Sequence, residues 1–136
     1  MLFFGISAQI FASDRGEILT AIHMVENPTD SVRIGSKGEL GPYQFRPATW
    51  QMHTDKPFYM AANRQEADLI AQKHFDWITK GLERNGLAVT PYSIALVWNA
   101  GLDATIRGKV PRSSRNYAMR VENTVLSMKA KQVAER

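Results

Sequence analysis

Glu26 is the carboxyl in this chain best placed by sequence to do chemistry. It falls four residues after Ile22, on the apolar face of a helix that Pro28 must end. The unpaired carbonyls at such an end present a partial negative charge. Desolvation and the negative pole both favour the protonated carboxyl, which is the form a general acid must hold near neutrality. Gln44 is the second residue of interest. It lies in SKGELGPYQFRPATW, Ser36 to Trp50, where two glycines and two prolines surround one uncharged amide. Gly38 and Gly41 permit backbone conformations or close approaches that a side chain would obstruct, while Pro42 and Pro47 stiffen entry and exit. An amide held there offers donors and an acceptor without competing for the acid's proton.

Other chemistries find less support. His23, His53 and His74 are scattered, and His23 with Glu26 makes a single i, i+3 pair, so no metal site and no cofactor are expected. GSKG lacks the spacing of a phosphate loop, and there is no Gly-x-Ser-x-Gly. The sequence holds no cysteine, which removes thiol nucleophiles, thiolate ligands and disulfides. A second carboxylate has three candidates, Glu39 inside the turn, Asp30 just beyond Pro28 and the more distant Asp103, none of them in a required place.

The elements that must position these residues read as helices. Ser13 or Asp14 can cap a first helix over about 14–27, whose Ile18, Leu19, Ile22 and Val25 recur at three and four. From Pro28 to Arg46 the chain is a long loop rich in Gly, Pro, Ser and Asp. Pro47 opens a short helix through Trp50. A longer helix follows over about 64–85, with Ala67, Ile70, Ala71, His74, Ile78 and Leu82 along one side and Gly86 as its stop. Thr90 caps and Pro91 opens an almost wholly apolar, and so buried, helix that Gly101 ends. Ser113 or Ser114 begins the last helix, with Tyr117, Val121, Val125 and Met128 on one face. No strand alternation appears, so the expected class is all-α in one domain, a size that 136 residues with 44% hydrophobic content can support.

Charge and the chain start bear on surroundings. A formal net charge of +4 favours polyanionic partners. Arg107, Lys109, Arg112, Arg115 and Arg120 cluster late in the chain; they read first as a solvated face and next as attraction to an anionic wall polymer. With no recognition motif, no nucleic-acid partner is expected. MLFFGISAQIFAS resembles the apolar region and small-residue site of a secretory signal, although no Lys or Arg precedes it. Residues 1–13 therefore read as a signal-peptide remnant or as an N-terminal helix packed on the core, and the run is too short for stable membrane insertion. An exported protein, periplasmic or extracellular, is the expectation.

Glu26, then GELGPYQF, then ALVWNAG and finally NYAMRV follow one another in an order and spacing that resembles the lytic transglycosylase and goose-type lysozyme superfamily. The likeness runs from about Glu17 to Val125. It implies an all-α, lysozyme-like catalytic domain over 14–128 with a substrate cleft, followed by a basic frayed tail over 129–136. The implied substrate is the β-1,4 glycan of peptidoglycan, with no cofactor. Carried over by position, Glu26 is the acid/base, Gln44 and Asn99 bond substrate in the cleft, and Tyr117 brings a hydroxyl near the carboxyl. Tyr43 and Trp98, with Phe45, supply apolar surface to sugar faces. Where the family usually has Ser nine residues before the Gln, this chain has Gly35, and Ser36 one place later takes that position. Trp98 stands where Tyr is commonest, and Ser113 and Ser114 replace a usual Glu-Thr pair. The resemblance implies a lytic transglycosylase that leaves 1,6-anhydro ends. A muramidase and a non-catalytic glycan-binding or assembly module stay open, as does a secretion-apparatus or phage-assembly partner.

Overall fold

The computed structural model describes the backbone of residues 4–135 and the side chains from Arg15 to Glu135. Among the described residues there are six α-helices, one 3-10 segment and no β-sheet, so the class is all-α. The helices are α1 (Phe4–Glu26), α2 (Pro47–His53), α3 (Arg64–Arg84), α4 (Pro91–Ala100), α5 (Leu102–Ile106) and α6 (Arg112–Ala134), with the 3-10 segment at Phe58–Ala62. None is long and apolar enough to cross a membrane.

Helix α1 ends at Glu26 but starts well before the expected cap, running through Ser13 and Asp14 without interruption. The run before them is apolar at most positions, so it carries no helical period from which to read a continuation. Residues 1–3, and how the side chains up to Asp14 pack, lie outside the described residues. Helix α6 likewise continues through Ala134, where a frayed tail had been expected after Met128. MKAKQVA contains good helix formers and no breaker, and a basic composition does not by itself end a helix.

The inner helices follow local signals closely. In α3 the Asn63 side chain accepts the Glu66 N–H at 3.0 Å, and Gly86 terminates the helix with φ +67°. In α4, Thr90 and Ser93 form a reciprocal cap and Pro91 occupies the first turn. Helix α4 is less buried than expected, with Ile94, Ala95 and Val97 inside but Asn99 exposed. The 3-10 segment and α5 carry no periodic signal because each is a bare five residues long.

Helix α4 packs chiefly on α6 and α6 on α1, while α3 joins α4 to α2 and the 3-10 segment. Ile18 and Ile22 of α1, Trp50 of α2, Phe75, Ile78 and Leu82 of α3, Ile94 of α4 and Val121 and Val125 of α6 are fully buried in one core. Each such side chain contributes roughly 1.5–3 kcal/mol on burial. Glu26, the last residue of α1, lies within reach of Tyr117 and Arg120 of α6.

Candidate functional site

The loop after α1 is organised around a six-residue turn. Leu40 and Phe45 exchange backbone hydrogen bonds at 2.9 and 3.1 Å, and the Gln44 N–H donates to the Gly41 carbonyl at 3.0 Å. Gly41 sits at φ +86°, and a Cβ there would strike the backbone carbonyl of Ala61. Gln44 itself adopts φ +50°, an uncommon value for a residue with a side chain. Asn27 fastens this turn to the helix end. Its buried amide donates to the carbonyls of Ser31 at 2.9 Å and Gly41 at 3.1 Å, and accepts the Ser31 N–H at 2.9 Å. The residue directly after Glu26 thus fixes where Gln44 lies relative to Glu26. Nothing in the residues around Asn27 announces a partner fourteen residues away, and in sequence it marks just the end of a helix.

Glu26, Ser36, Gln44, Trp98 and Asn99 line one cleft of about 490 Å3, together with Lys37, Glu39, Arg46, His74 and Trp77. Burial raises the Glu26 carboxyl to about 7, and Glu39 adds to the rise. Tyr117, Arg120 and Arg46 pull the other way without cancelling it. The Tyr117 hydroxyl is buried and is not part of the cleft lining. It acts on Glu26 as a hydrogen-bond donor, which favours the ionised carboxyl, although the contact is not a tight one. Its own ionisation is pushed well up, by burial first and by Glu26 next. Tyr117→Phe removes a group that favours ionised Glu26. The acid in that variant is expected to lose its proton at higher pH, so any descending limb of activity against pH moves up. A limb that stays in place or moves down would show that Tyr117 does not act on the carboxyl.

Gln44 is half-buried, and its Nε2 donates to the Gly41 carbonyl at 2.9 Å. That bond steadies the side chain and leaves Oε1 as a free acceptor. Asn99 is exposed at the end of α4, and its Oδ1 accepts the buried Ser114 hydroxyl at 2.7 Å, leaving Nδ2 to donate. Ser114 thereby positions Asn99; the sequence offered it as a start of the last helix, but α6 begins at Arg112 with Pro111 before it and Ser114 lies inside the first turn. Trp98 is half-buried, 5.7 Å from Phe45 and 4.8 Å from His74 between ring centres. Ser36 is exposed on the cleft rim.

Tyr43 is a correction. Expected at the substrate, it is 3% exposed and is not among the cleft residues. Its hydroxyl donates to Asp68 Oδ1 at 2.6 Å, and Arg64 Nε donates to the same oxygen at 2.9 Å. Arg64 Nη1 also donates to His23 Nδ1 at 3.0 Å, which leaves His23 Nε2 to donate to Asp30 at 2.7 Å. Tyr43 therefore ties the turn to α3 and to the end of α1. Gln44 and Phe45, which follow it, line the cleft while its own ring is buried. Phe45, by contrast, is buried yet contributes to the cleft floor.

The histidines, scattered in sequence, are partly brought together. His53 Nε2 lies 3.0 Å from His74 Nδ1, and His74 stacks on Trp77 at 5.6 Å. Burial, and then His53, lower His74 to about 3, so its ring is neutral where it meets the cleft. Burial and Lys73 also lower His53. Among the described residues no three His, Cys, Asp or Glu side chains converge as a metal site.

This geometry defines an all-α protein with a polar cleft built on one proton-retaining carboxyl. No family model matches the chain, and neither a curated protein nor a solved structure matches it.

Proposed function

We propose that this protein is a peptidoglycan-cleaving enzyme with a lysozyme-like fold, a lytic transglycosylase acting on the β-1,4 bond between N-acetylmuramoyl and N-acetylglucosaminyl residues. One observation carries the reading. A carboxyl raised to about 7 lies in the same cleft as Gln44 and Asn99, although the three are far apart in sequence. Such a carboxyl holds its proton for transfer at neutral pH. Glu26 donates that proton to the bridging oxygen as the glycosidic bond breaks, and the muramoyl acetamido oxygen shares the developing positive charge. The Glu26 carboxylate then takes the proton of the muramoyl 6-hydroxyl, whose oxygen closes on the anomeric carbon. A 1,6-anhydro end results, and the acid is restored. Gln44 Oε1 and Asn99 Nδ2 supply one acceptor and one donor to orient the acetamido groups. An exported, wall-associated location follows from this substrate, with a secretion or phage assembly as the setting for a partner.

Digestion of purified sacculi followed by mass analysis tests the reading. Anhydro ends are expected, whereas absence of any released product would leave a glycan-binding module in its place. Glu39 favours a second reading, because it shares the cleft with Glu26 and raises it. Two carboxylates flanking a bond also serve hydrolysis, with water as the acceptor. Glu39→Gln separates the two. The single-acid route retains cleavage in this variant, with the descending pH limb moved down because one raising charge is gone. Complete loss in a folded variant, with reducing ends in wild type, would identify a muramidase.

A further inference from the structure

Two cations in the cleft have no ion-pair partner among the described residues. Arg15, Lys56, Arg64 and Arg107 pair with carboxylates outside the cleft, at 3.7, 2.7, 2.9 and 3.2 Å, and of the cations that make no such pair Lys37 and Arg46 are the two that line the cleft. Lys37 and Arg46, both exposed, line the cleft and are left with their charges unused. The nearby acids do not account for them. Glu39 is folded back over Gly35, whose missing side chain makes the room, and it accepts the Lys37 backbone N–H at 3.0 Å rather than the ammonium. Glu26 below neutrality carries no charge to pair with.

Arg46 also works against the acid, since its charge favours ionised Glu26 and burial must overcome it. Proton donation alone would be better served by a neutral residue there. Its backbone is nevertheless tightly placed. Phe45 before it is locked in the bridge to Leu40, Pro47 after it opens α2, and its carbonyl accepts the Trp50 N–H at 3.1 Å. The guanidinium is thus carried on a fixed base at the cleft mouth.

We propose that Arg46 and Lys37 form an anion subsite that takes a carboxylate borne by the glycan, so that the cleft prefers acidic strands to neutral ones. This rests on the glycan reading above and adds the chemical class of the substrate. Guanidinium and ammonium groups bind carboxylate through charge-assisted hydrogen bonds, and Arg does so with a planar fork. Two sources carry such a group, the lactyl ether of a stripped muramoyl residue and the peptide stem attached to it.

The test uses sedimentation of the full chain with purified sacculi, intact or amidated at their carboxyls with carbodiimide and methylamine, and competition by soluble glycan strands that an amidase has freed of their stems. Wild type is expected to bind intact sacculi about tenfold more tightly than amidated ones, the scale of a hydrogen bond to a charged group. That ratio falls towards one in the Arg46→Gln, Lys37→Gln double variant, and Arg46→Lys retains most of it. Both positions are exposed, and a circular dichroism melt verifies that the variants fold. Intact sacculi carry their carboxylates on the stems, because each lactyl group there is amide-linked; competition by stem-free strands that is lost when those strands are amidated extends the subsite to the lactyl carboxylate, and no competition by them restricts it to the stem. Wild type that sediments equally with intact and amidated sacculi, or with neither, overturns the subsite, as does an unchanged ratio in the double variant. Product release from intact sacculi, read on the same samples, judges the enzymatic reading separately.

Discussion

Glu26→Gln is expected to abolish glycan cleavage while leaving the protein folded and able to bind sacculi. The amide keeps the size of the side chain and removes the transferable proton. General acid/base catalysis by one group is worth on the order of a hundred to ten-thousandfold. In the proposed route one carboxyl serves both as acid to the leaving oxygen and as base to the 6-hydroxyl, so the loss should reach the upper part of that range. Soluble muropeptide release and sedimentation of bound protein, measured together, read the two halves of the expectation. Cleavage at a rate comparable to wild type would remove Glu26 as the acid.

The same variant makes a stability prediction with a defined sign. Burial raises folded Glu26 from 4.5 to about 7, so the folded state holds a proton that the unfolded chain releases. Its contribution is fully present below about pH 4.5 and is lost as pH rises through about 7. The loss is on the order of 2 kcal/mol, below full conversion of the shift because the carboxyl is only partly buried. Glu26→Gln has no proton to lose, so its unfolding midpoint should fall less than that of wild type between these pH values. Parallel curves for the two proteins would show that burial does not hold the proton on Glu26.

Gly41→Ala is expected to be the most destabilising small substitution in the loop. At φ +86° an L side chain is strained by roughly 1–2 kcal/mol. The added Cβ would also collide with the Ala61 carbonyl, which belongs to backbone and cannot swing aside. Forced displacement of packed structure adds about 1–3 kcal/mol. The total is a large share of the roughly 5–15 kcal/mol that holds a domain together. Gly38→Ala is the control. Gly38 has a similar φ of +80°, but the nearest atom to its Cβ would be Pro47 Cδ at 3.9 Å. Chemical denaturation of both variants should therefore separate backbone strain from close approach. Equal midpoints would mean that the Ala61 contact yields easily.

The elements were legible from sequence where local chemistry decides them. Pro47, Thr90 with Pro91, Gly86 and Gly101 mark helix ends through dihedral limits and missing or satisfied N–H groups, which act over a few residues. The buried stripe of α3 follows from short-range periodicity, and the end of α1 at Glu26 from Pro28 two residues on. The character of Glu26 was foreseeable too, because an acid on an apolar helix face loses water whatever covers it. What covers it was not. Tyr117, Arg120, Glu39 and Arg46 reach it from α6 and from the loop, over separations that no local rule spans. Tyr43 and Phe45, two residues apart in one turn, differ in role because the docking of the turn on α3 gives Tyr43 an Asp68 partner and leaves Phe45 at the cleft floor. Asn27, Ser114 and the His53–His74 pair acquire their partners in the same way, through contacts that exist only once the helices have packed. Sequence by itself determined an all-α chain with one acid on a helix end and one amide in a glycine-bounded turn. The tertiary structure alone decided that they share a cleft, because that placement depends on α1 packing on α6 and on the turn closing against Ala61.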